Sequence, residues 1–511
     1  MSVSGEDATR RLSEDRDEVA SEDRNIDAFV SAWGSKVHNA LFIVVASCLI
    51  MTIVEIGNQN TVAAQTAITE QTVCNKYYGS SRSRSGSSEA VIGFGAERCK
   101  FEPIQSELAL IIGWKNALDT IPGIVFAIPY GILADRVGRK KVIVLALIGL
   151  FLSDCWVRVV LWFSDIFPTR AIWLSGLWQI VGGGATTFES VRSAMIADVC
   201  PEDKRLTAFL WIQAARLISD LVAAPLGAAL MSINAWYPMW TASGTMVVGI
   251  ILTVLLIPET FIPESAEQKP NEVGERSRLL TPDEEEDYEP VLSHQHREPV
   301  GRVSEGILWM THSIGVVSII FTFFLILLGR QTTEFLLQYA SKRFHWSYAR
   351  ASFLLSLQAA VNLVVVLVLF PALSTLLSRR LNLDAATKDK LLTQVSGVCL
   401  VLGSFTIFIG ATPALLILGL AVFALGLAFT VTARSFVTAM IDQRHLGIIY
   451  TAISVMTYAG IVVGGPLLAA TFKWGMMLSE FWLGLPYLVA SGVFLLALLL
   501  VSTAGVKSLA V

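Results

Sequence analysis

Apolar runs of about 20 residues recur along this chain, each closed by a short polar turn, and a run of that length crosses the hydrocarbon of a bilayer as one helix. Six fall in the first half, at 38–59, 106–133, 141–163, 170–198, 206–232 and 237–257. Six more follow at 307–340, 347–377, 389–411, 413–441, 446–471 and 481–503, with a break expected near Gly329 in the seventh. The expected organisation is therefore a polar tail over 1–37, a six-helix bundle over 38–257, a linker over 258–305, a second six-helix bundle over 306–504 and a short tail over 505–511. The tail is rich in Glu, Asp, Ser and Arg, and the linker carries Asp283-Glu284-Glu285-Glu286-Asp287 with several prolines, the composition of disordered segments.

Composition supports an all-α integral membrane protein. Of 511 residues, 54% are hydrophobic and 16% charged, too apolar a balance for a soluble globule. The net charge of −4 says little, because most charges sit in tails and loops. No apolar core lies near Met1, so the first span is expected to serve as the insertion signal. Lysine and arginine set the orientation. One set of short loops holds Arg136, Arg139, Lys140, Lys141, Lys204, Arg205, Arg379, Arg380, Lys388, Lys390 and Arg444; the opposite set holds chiefly Lys342, Arg343, Arg350 and Lys473. Both termini and the linker are then cytoplasmic.

The hairpin between the second and third spans is the most distinctive polar segment. It reads Gly131-Ile-Leu-Ala-Asp135-Arg136-Val-Gly138-Arg139-Lys140-Lys141: glycines let two helix ends approach, and cations hold that end in the cytosol. The halves also echo one another. Ser219-Asp-Leu-Val-Ala223-Ala224-Pro225-Leu226 in the fifth span matches Gly460-Ile-Val-Val-Gly464-Gly465-Pro466-Leu467 in the eleventh. Val191-Arg-Ser-Ala-Met-Ile-Ala in the fourth likewise matches Phe436-Val-Thr-Ala-Met-Ile-Asp in the tenth. Repeated bundles are a common construction of secondary transporters, which bind substrate between them near the bilayer midplane. Small residues with proline, and the run Gly182-Gly183-Gly184 in the fourth span, suit either tight packing or a hinge.

Charges inside the spans come at helical spacing: Lys115 with Asp119, Asp154 with Arg158, Glu189 with Arg192, Arg216 with Asp220, and Arg330 with Glu334. A charge at the bilayer centre costs roughly 2.5–3.5 kcal/mol, so these residues are expected to pair and to face protein or water. Each pair taken alone is adequately explained as a neutral lock between helices; taken as a set, at least one is expected to serve a transport path. Glu55, late in the first span beside Asn58 and Asn60, has no cation nearby on its own helix. It reads either as a proton carrier or as an acid at a wet helix end. Glu189, Asp220 and Glu334 are the other proton candidates. Trp114, Trp178, Trp211, Tyr339 and Trp346 are candidates to line a cavity, against ordinary packing or an interfacial belt.

Cys74 and Cys99 flank a Ser/Gly-rich insert in the one long loop of the first half; either a disulfide closes that loop or two free thiols stand there. Cys48, Cys155, Cys200 and Cys399 read as packing residues. No Asn-x-Ser/Thr sequon occurs to mark an outer loop.

The spacing G-x-x-x-D-R-x-G-R-K resembles the signature loop of the major facilitator superfamily, with Pro258-Glu259-Thr260 after the sixth span as a companion. Val73-Cys74-Asn-Lys-Tyr77-Tyr78, Cys99 with Gln105-Ser-Glu-Leu-Ala, and Gln338-Tyr339-Ala-Ser341-Lys342-Arg343-Phe344-His-Trp346-Ser347 are similar to a filamentous-fungal group distantly related to proton-coupled folate-type transporters. The resemblance implies alternating access by two rocking six-helix bundles, with Asp135 and Arg139 in a cytoplasmic charge latch. It points to proton-coupled export of a secondary metabolite or drug-like molecule; import of a nutrient or organic anion is the alternative, and a non-transporting receptor lies outside that class. Two departures stand out: Trp178 and Gln179 replace the arginine of the drug-antiporter pattern, and Pro225 of the fifth-span antiporter motif is displaced by one position.

No cofactor, metal or enzymatic constellation is expected. There is no Gly-Lys dipeptide for a phosphate-binding loop, and one histidine, His312, falls inside a span. The expected partners are a small-molecule substrate, protons and the lipid bilayer, without nucleic acid, for a monomer in the plasma membrane. The vacuolar membrane is the alternative, raised by the dileucine-like Glu275-Arg-Ser-Arg-Leu279-Leu280.

Overall fold

The computed structural model describes residues 41–79, 98–200, 202–259, 314–380, 385–440 and 446–503. Among the described residues the chain is helical, and 11 helices are long and apolar enough to cross a membrane. They follow the predicted spans closely, with two instructive exceptions.

The first helix runs over Leu41–Gly79, 20 residues past its predicted end. The polar string Asn58-Gln59-Asn60-Thr61 looks like a terminus only if those side chains meet lipid. Here Asn60 Nδ2 donates to Thr241 Oγ1 (3.0 Å), Gln59 donates to Glu55 and Thr61 to its own preceding turn, so these donors find partners within the protein. Glu55 consequently sits in mid-helix rather than near an end.

The fourth span is not one helix. It is built from Thr169–Leu174, Ser175–Trp178, Val181–Gly183 and Gly184–Val199. Gly182, Gly183 and Gly184 take φ of 84°, 76° and 69°, a left-handed backbone that other L-residues adopt only under strain. The run is thus a true interruption of the helix. The seventh span breaks as expected: Ile314–Arg330 gives way to a 3-10 turn over Gln331–Phe335 and resumes over Leu336–Phe344.

The eighth helix passes through a π turn at Val365–Leu369, and the ninth to twelfth complete the second bundle. Pro225 and Pro466 lie inside the fifth and eleventh helices. The seventh helix packs against Gly460 and Gly464, at the backbones of Phe324 and Leu328. Gly465 meets the backbone of Gly113, so the second and eleventh helices cross with no room for a side chain, and the two halves touch there.

Cys74 and Cys99 form a disulfide, Cα–Cα 5.4 Å, tying the end of the first helix to the turn Arg98–Lys100 before the second. Most of the tail and linker, with His312 and the dileucine-like string, lies outside the described residues.

Candidate functional site

At the opposite end from the disulfide, Gly138 separates the second and third helices with φ 110°, and Glu259 Oε1 accepts from the Arg139 backbone N–H (2.8 Å). That carboxylate caps the first turn of the third helix, where backbone donors otherwise lack partners and the helix dipole favours an anion. The proline-glutamate ending of the sixth span therefore touches the hairpin directly. Asp135 Oδ1 stands 3.8 Å from Arg139 Nη2 and is 63% exposed, while Gly131 has open space beside it. Arg136 is exposed and Lys140 partly buried at the same end.

Of the cavities between the bundles, two share Glu334 in their walls. The larger, about 420 Å³, is lined by Glu55, Lys115, Asp119, Asp154, Glu189 and, from the second half, Glu334 and Tyr458, among others. Lys115 Nζ pairs with Asp119 Oδ2 at 2.8 Å, and Ser175 Oγ donates to Asp119 Oδ1 at 2.7 Å. Arg158 Nη2 is 3.7 Å from Asp154 and its Nε donates to the Met239 carbonyl. Glu189 pairs with Arg192, whose guanidinium lies over the Phe188 ring at 5.6 Å. These three expected pairs meet.

The other two do not. Among the described residues Arg216 has no contact with Asp220 inside 4 Å; its Nε instead approaches Glu55 Oε1 at 3.6 Å, across to the first helix. The acid expected to stand without a cation thus has one, and Asp220 lies beside both Glu55 and Arg216. Arg330 and Glu334 part for a geometric reason. In an α-helix residues four apart are offset by about 40°, whereas a 3-10 turn at three residues per turn offsets them by about 120°. The turn at Gln331–Phe335 therefore swings Glu334 away, towards Asn116 and Lys115 of the second helix.

The smaller cavity, about 350 Å³, carries Gln59, Arg216, Asp220, Arg330, Gln358 and Asn362 in its walls. None of the five candidate aromatics lines either cavity. Trp114, Trp178 and Trp211 are among the exposed apolar side chains of the bundle surface; Tyr339 is buried with its hydroxyl on the Ile407 carbonyl, and Trp346 packs under Arg350. Tyr458 and the amides Asn116, Gln331, Gln358 and Asn362 take that place. Polar amides within apolar runs were the available signal for them.

A third cluster went unread in the sequence because it starts beyond the predicted end of the first span. Glu70, 8% exposed, accepts from Lys100 Nζ (2.7 Å), from Tyr348 Oη (3.0 Å) and from Gln105. Gln338 donates to Gln105 Oε1 (2.9 Å) and Lys342 to the Lys100 carbonyl (2.5 Å). Lys100 also lies 4.3 Å from the Tyr348 ring centre. Glu70, Lys100 and Gln105 belong to the first half, Gln338, Lys342 and Tyr348 to the second. The cluster joins the halves at the disulfide end, and Ser356 adds a bond to the Leu221 carbonyl one layer deeper (3.2 Å). Burial pushes the Lys100 ammonium below the usual lysine range, and Glu70 beside it offsets part of that.

Comparison with known proteins places this geometry in a family. Residues 101–465 match the model of the Major Facilitator Superfamily. The chain is 42% identical to the efflux pump ustT of Aspergillus flavus over 86% of this chain and 84% of that one. It is 33% identical to the MFS efflux pump atnC of Emericella nidulans, over 77% and 74%. Among solved structures, a D-xylose–proton symporter superposes with a TM-score of 0.62 at 13% identity, covering 91% of this chain and 97% of that one, which speaks for the fold. The chain is a multi-pass membrane transporter and belongs to the major facilitator superfamily.

Proposed function

We propose that the protein exports an organic secondary metabolite by alternating access, driven by proton entry through the Glu55–Arg216–Asp220 cluster. One observation carries the proton reading: a carboxylate of the first helix, Glu55, stands 3.6 Å from Arg216 of the fifth, and a second carboxylate, Asp220, lies near both and lines the cavity between the halves. With both acids ionised the group holds one negative charge more than Arg216 neutralises, and a single proton removes the excess. Movement of either helix changes how closely each acid meets Arg216, so proton binding and conformation are linked. Relatives named efflux pumps support the outward direction.

In this reading the hairpin end faces the cytosol, the disulfide end faces outward, and the plasma membrane is the site of action. Asp135 and Arg139 act as a latch on the hairpin end. Gly182, Gly183, Pro225, Gly460, Gly464 and Pro466 supply close packing and the places where rocking is absorbed.

The test uses inverted yeast membrane vesicles carrying the full chain, an imposed pH gradient and a mixture of fungal metabolites read by mass spectrometry. Gradient-driven accumulation is expected in wild type and a loss of tenfold or more in Glu55→Gln or Asp220→Asn, with smaller effects in Glu189→Gln and Glu334→Gln. A gradient that drives nothing ends the proton claim. Accumulation in the reverse orientation makes the protein an importer. Asp135→Asn should change the rate of opening at the hairpin end and leave substrate affinity in place.

A further inference from the structure

Arg330 closes the first segment of the seventh span and projects into the smaller cavity, partly buried. Among the described residues no acid lies within 4 Å of its guanidinium, because the 3-10 turn that follows has turned Glu334 aside to Asn116 and Lys115. Another cation, Arg216 of the first half, lines the same cavity. Arg216 itself stands 3.6 Å from Glu55. The same walls carry the amides of Gln59, Gln358 and Asn362, which donate as readily as they accept, and the carboxylates of Asp220 and Glu334.

A cation inside a membrane protein costs roughly 2.5–3.5 kcal/mol without a partner, and three other arginines within the spans, Arg158, Arg192 and Arg216, each have an acid within 4 Å. Arg330 alone among these four lines the space between the halves with no acid within 4 Å. Its planar fork matches a carboxylate in two parallel hydrogen bonds, whereas Arg216 in the same walls is already engaged by Glu55. We infer that Arg330 seats a carboxylate group of the transported molecule, so that the substrate is an organic acid or a zwitterion rather than a neutral or purely cationic compound. The inference rests on the export reading for its biological meaning, yet binding is measurable without transport. The bland alternative is that Arg330 is a conformational latch that reaches Glu334 or Asp220 when the halves rock.

The purified full-length protein in nanodiscs is titrated with three probes of one shape, naphthalene-2-carboxylate, its carboxamide and the corresponding aminomethyl compound, read by thermal shift and tryptophan fluorescence. The carboxylate is expected to bind at least tenfold more tightly than either other probe. Arg330→Gln removes that preference, and Arg330→Lys, which keeps the charge but not the fork, retains part of it. Should Arg330→Gln fail to fold, Arg330→Lys carries the test, lowering carboxylate affinity while leaving the carboxamide unchanged. Equal binding of the three probes, no binding of the carboxylate, or an undiminished preference in Arg330→Gln overturns the proposal and leaves the latch. The vesicle experiment separates this from the export reading. Accumulation confined to neutral compounds or amines overturns the carboxylate seat and spares export; accumulation of nothing overturns export while the nanodisc titration still decides the seat.

Discussion

At the scale of single residues, the costliest positions are those where the backbone leaves one choice. Gly138 takes φ 110° at the hairpin, and a Cβ there would also strike the Glu259 carboxylate that caps the third helix. Gly138→Ala is therefore expected to cost about 1–3 kcal/mol of strain, seen as a lower unfolding temperature in detergent. Glu259→Ala removes the cap and the clash but not the strain, so the double substitution should not recover wild-type stability; full recovery would show that the clash alone was at fault. The charged residues tell the complementary story. Their expense in a bilayer made Lys115, Asp119, Glu189, Arg192, Arg216 and Asp220 conspicuous in the sequence. Their partners were less legible, because spacing along a helix describes one helix only. Arg216 finds its acid on another helix, and Glu334 is turned aside by a local change of helix type.

At the scale of elements, hydropathy located the spans well where lipid faces the helix and failed where protein does. The polar string at Asn58–Thr61 looks like an end by hydropathy, yet the helix runs on through it with Asn60 and Thr61 buried, and the cluster around Glu70 lies beyond. The fourth span shows the converse: it is apolar enough to pass for one helix, yet three glycines of positive φ interrupt it. Composition gives no warning, since glycine is common in membrane helices; the warning is the run of three. The disulfide is the element-scale feature with the clearest consequence. Closing a loop with a separation of 25 residues removes unfolded-chain entropy worth about 3 kcal/mol. Cys74→Ser is expected to lower stability by an amount of that order and to free the turn carrying Lys100. The check is thermal unfolding of Cys74→Ser against wild type, where an unchanged melting temperature would show that the helices hold this end unaided. Reducing agent should reproduce the mutant in wild type and leave Cys74→Ser unaffected.

At the scale of the whole molecule, the two bundles are joined at the disulfide end around one buried acid, and under the proposed alternating access this contact would hold that end closed. Glu70 accepts from Lys100 of its own half and from Tyr348 of the other, while Gln105 and Gln338 bond directly across. A hydrogen bond to a charged group is worth roughly 1.5–3 kcal/mol, so replacing the carboxylate by an amide of the same size should shift the balance between closed and open at this end by about 10- to 100-fold. Glu70→Gln also leaves the buried Lys100 without its acid, which adds to the bias. The measurement places a single cysteine at Asn116, in the wall of the larger cavity, in a chain whose free Cys48, Cys155, Cys200 and Cys399 are replaced and whose disulfide is kept. A membrane-impermeant maleimide is then offered from one side of the membrane or the other. Labelling from the disulfide side should accelerate in Glu70→Gln while labelling from the hairpin side slows, since the two openings exclude each other in a rocking molecule. If both rates rise, the substitution has loosened the protein rather than shifted it. If neither changes, the seal around Glu70 is a packing contact and the barrier between states lies deeper, at the crossing of the second and eleventh helices where Gly113 and Gly465 meet.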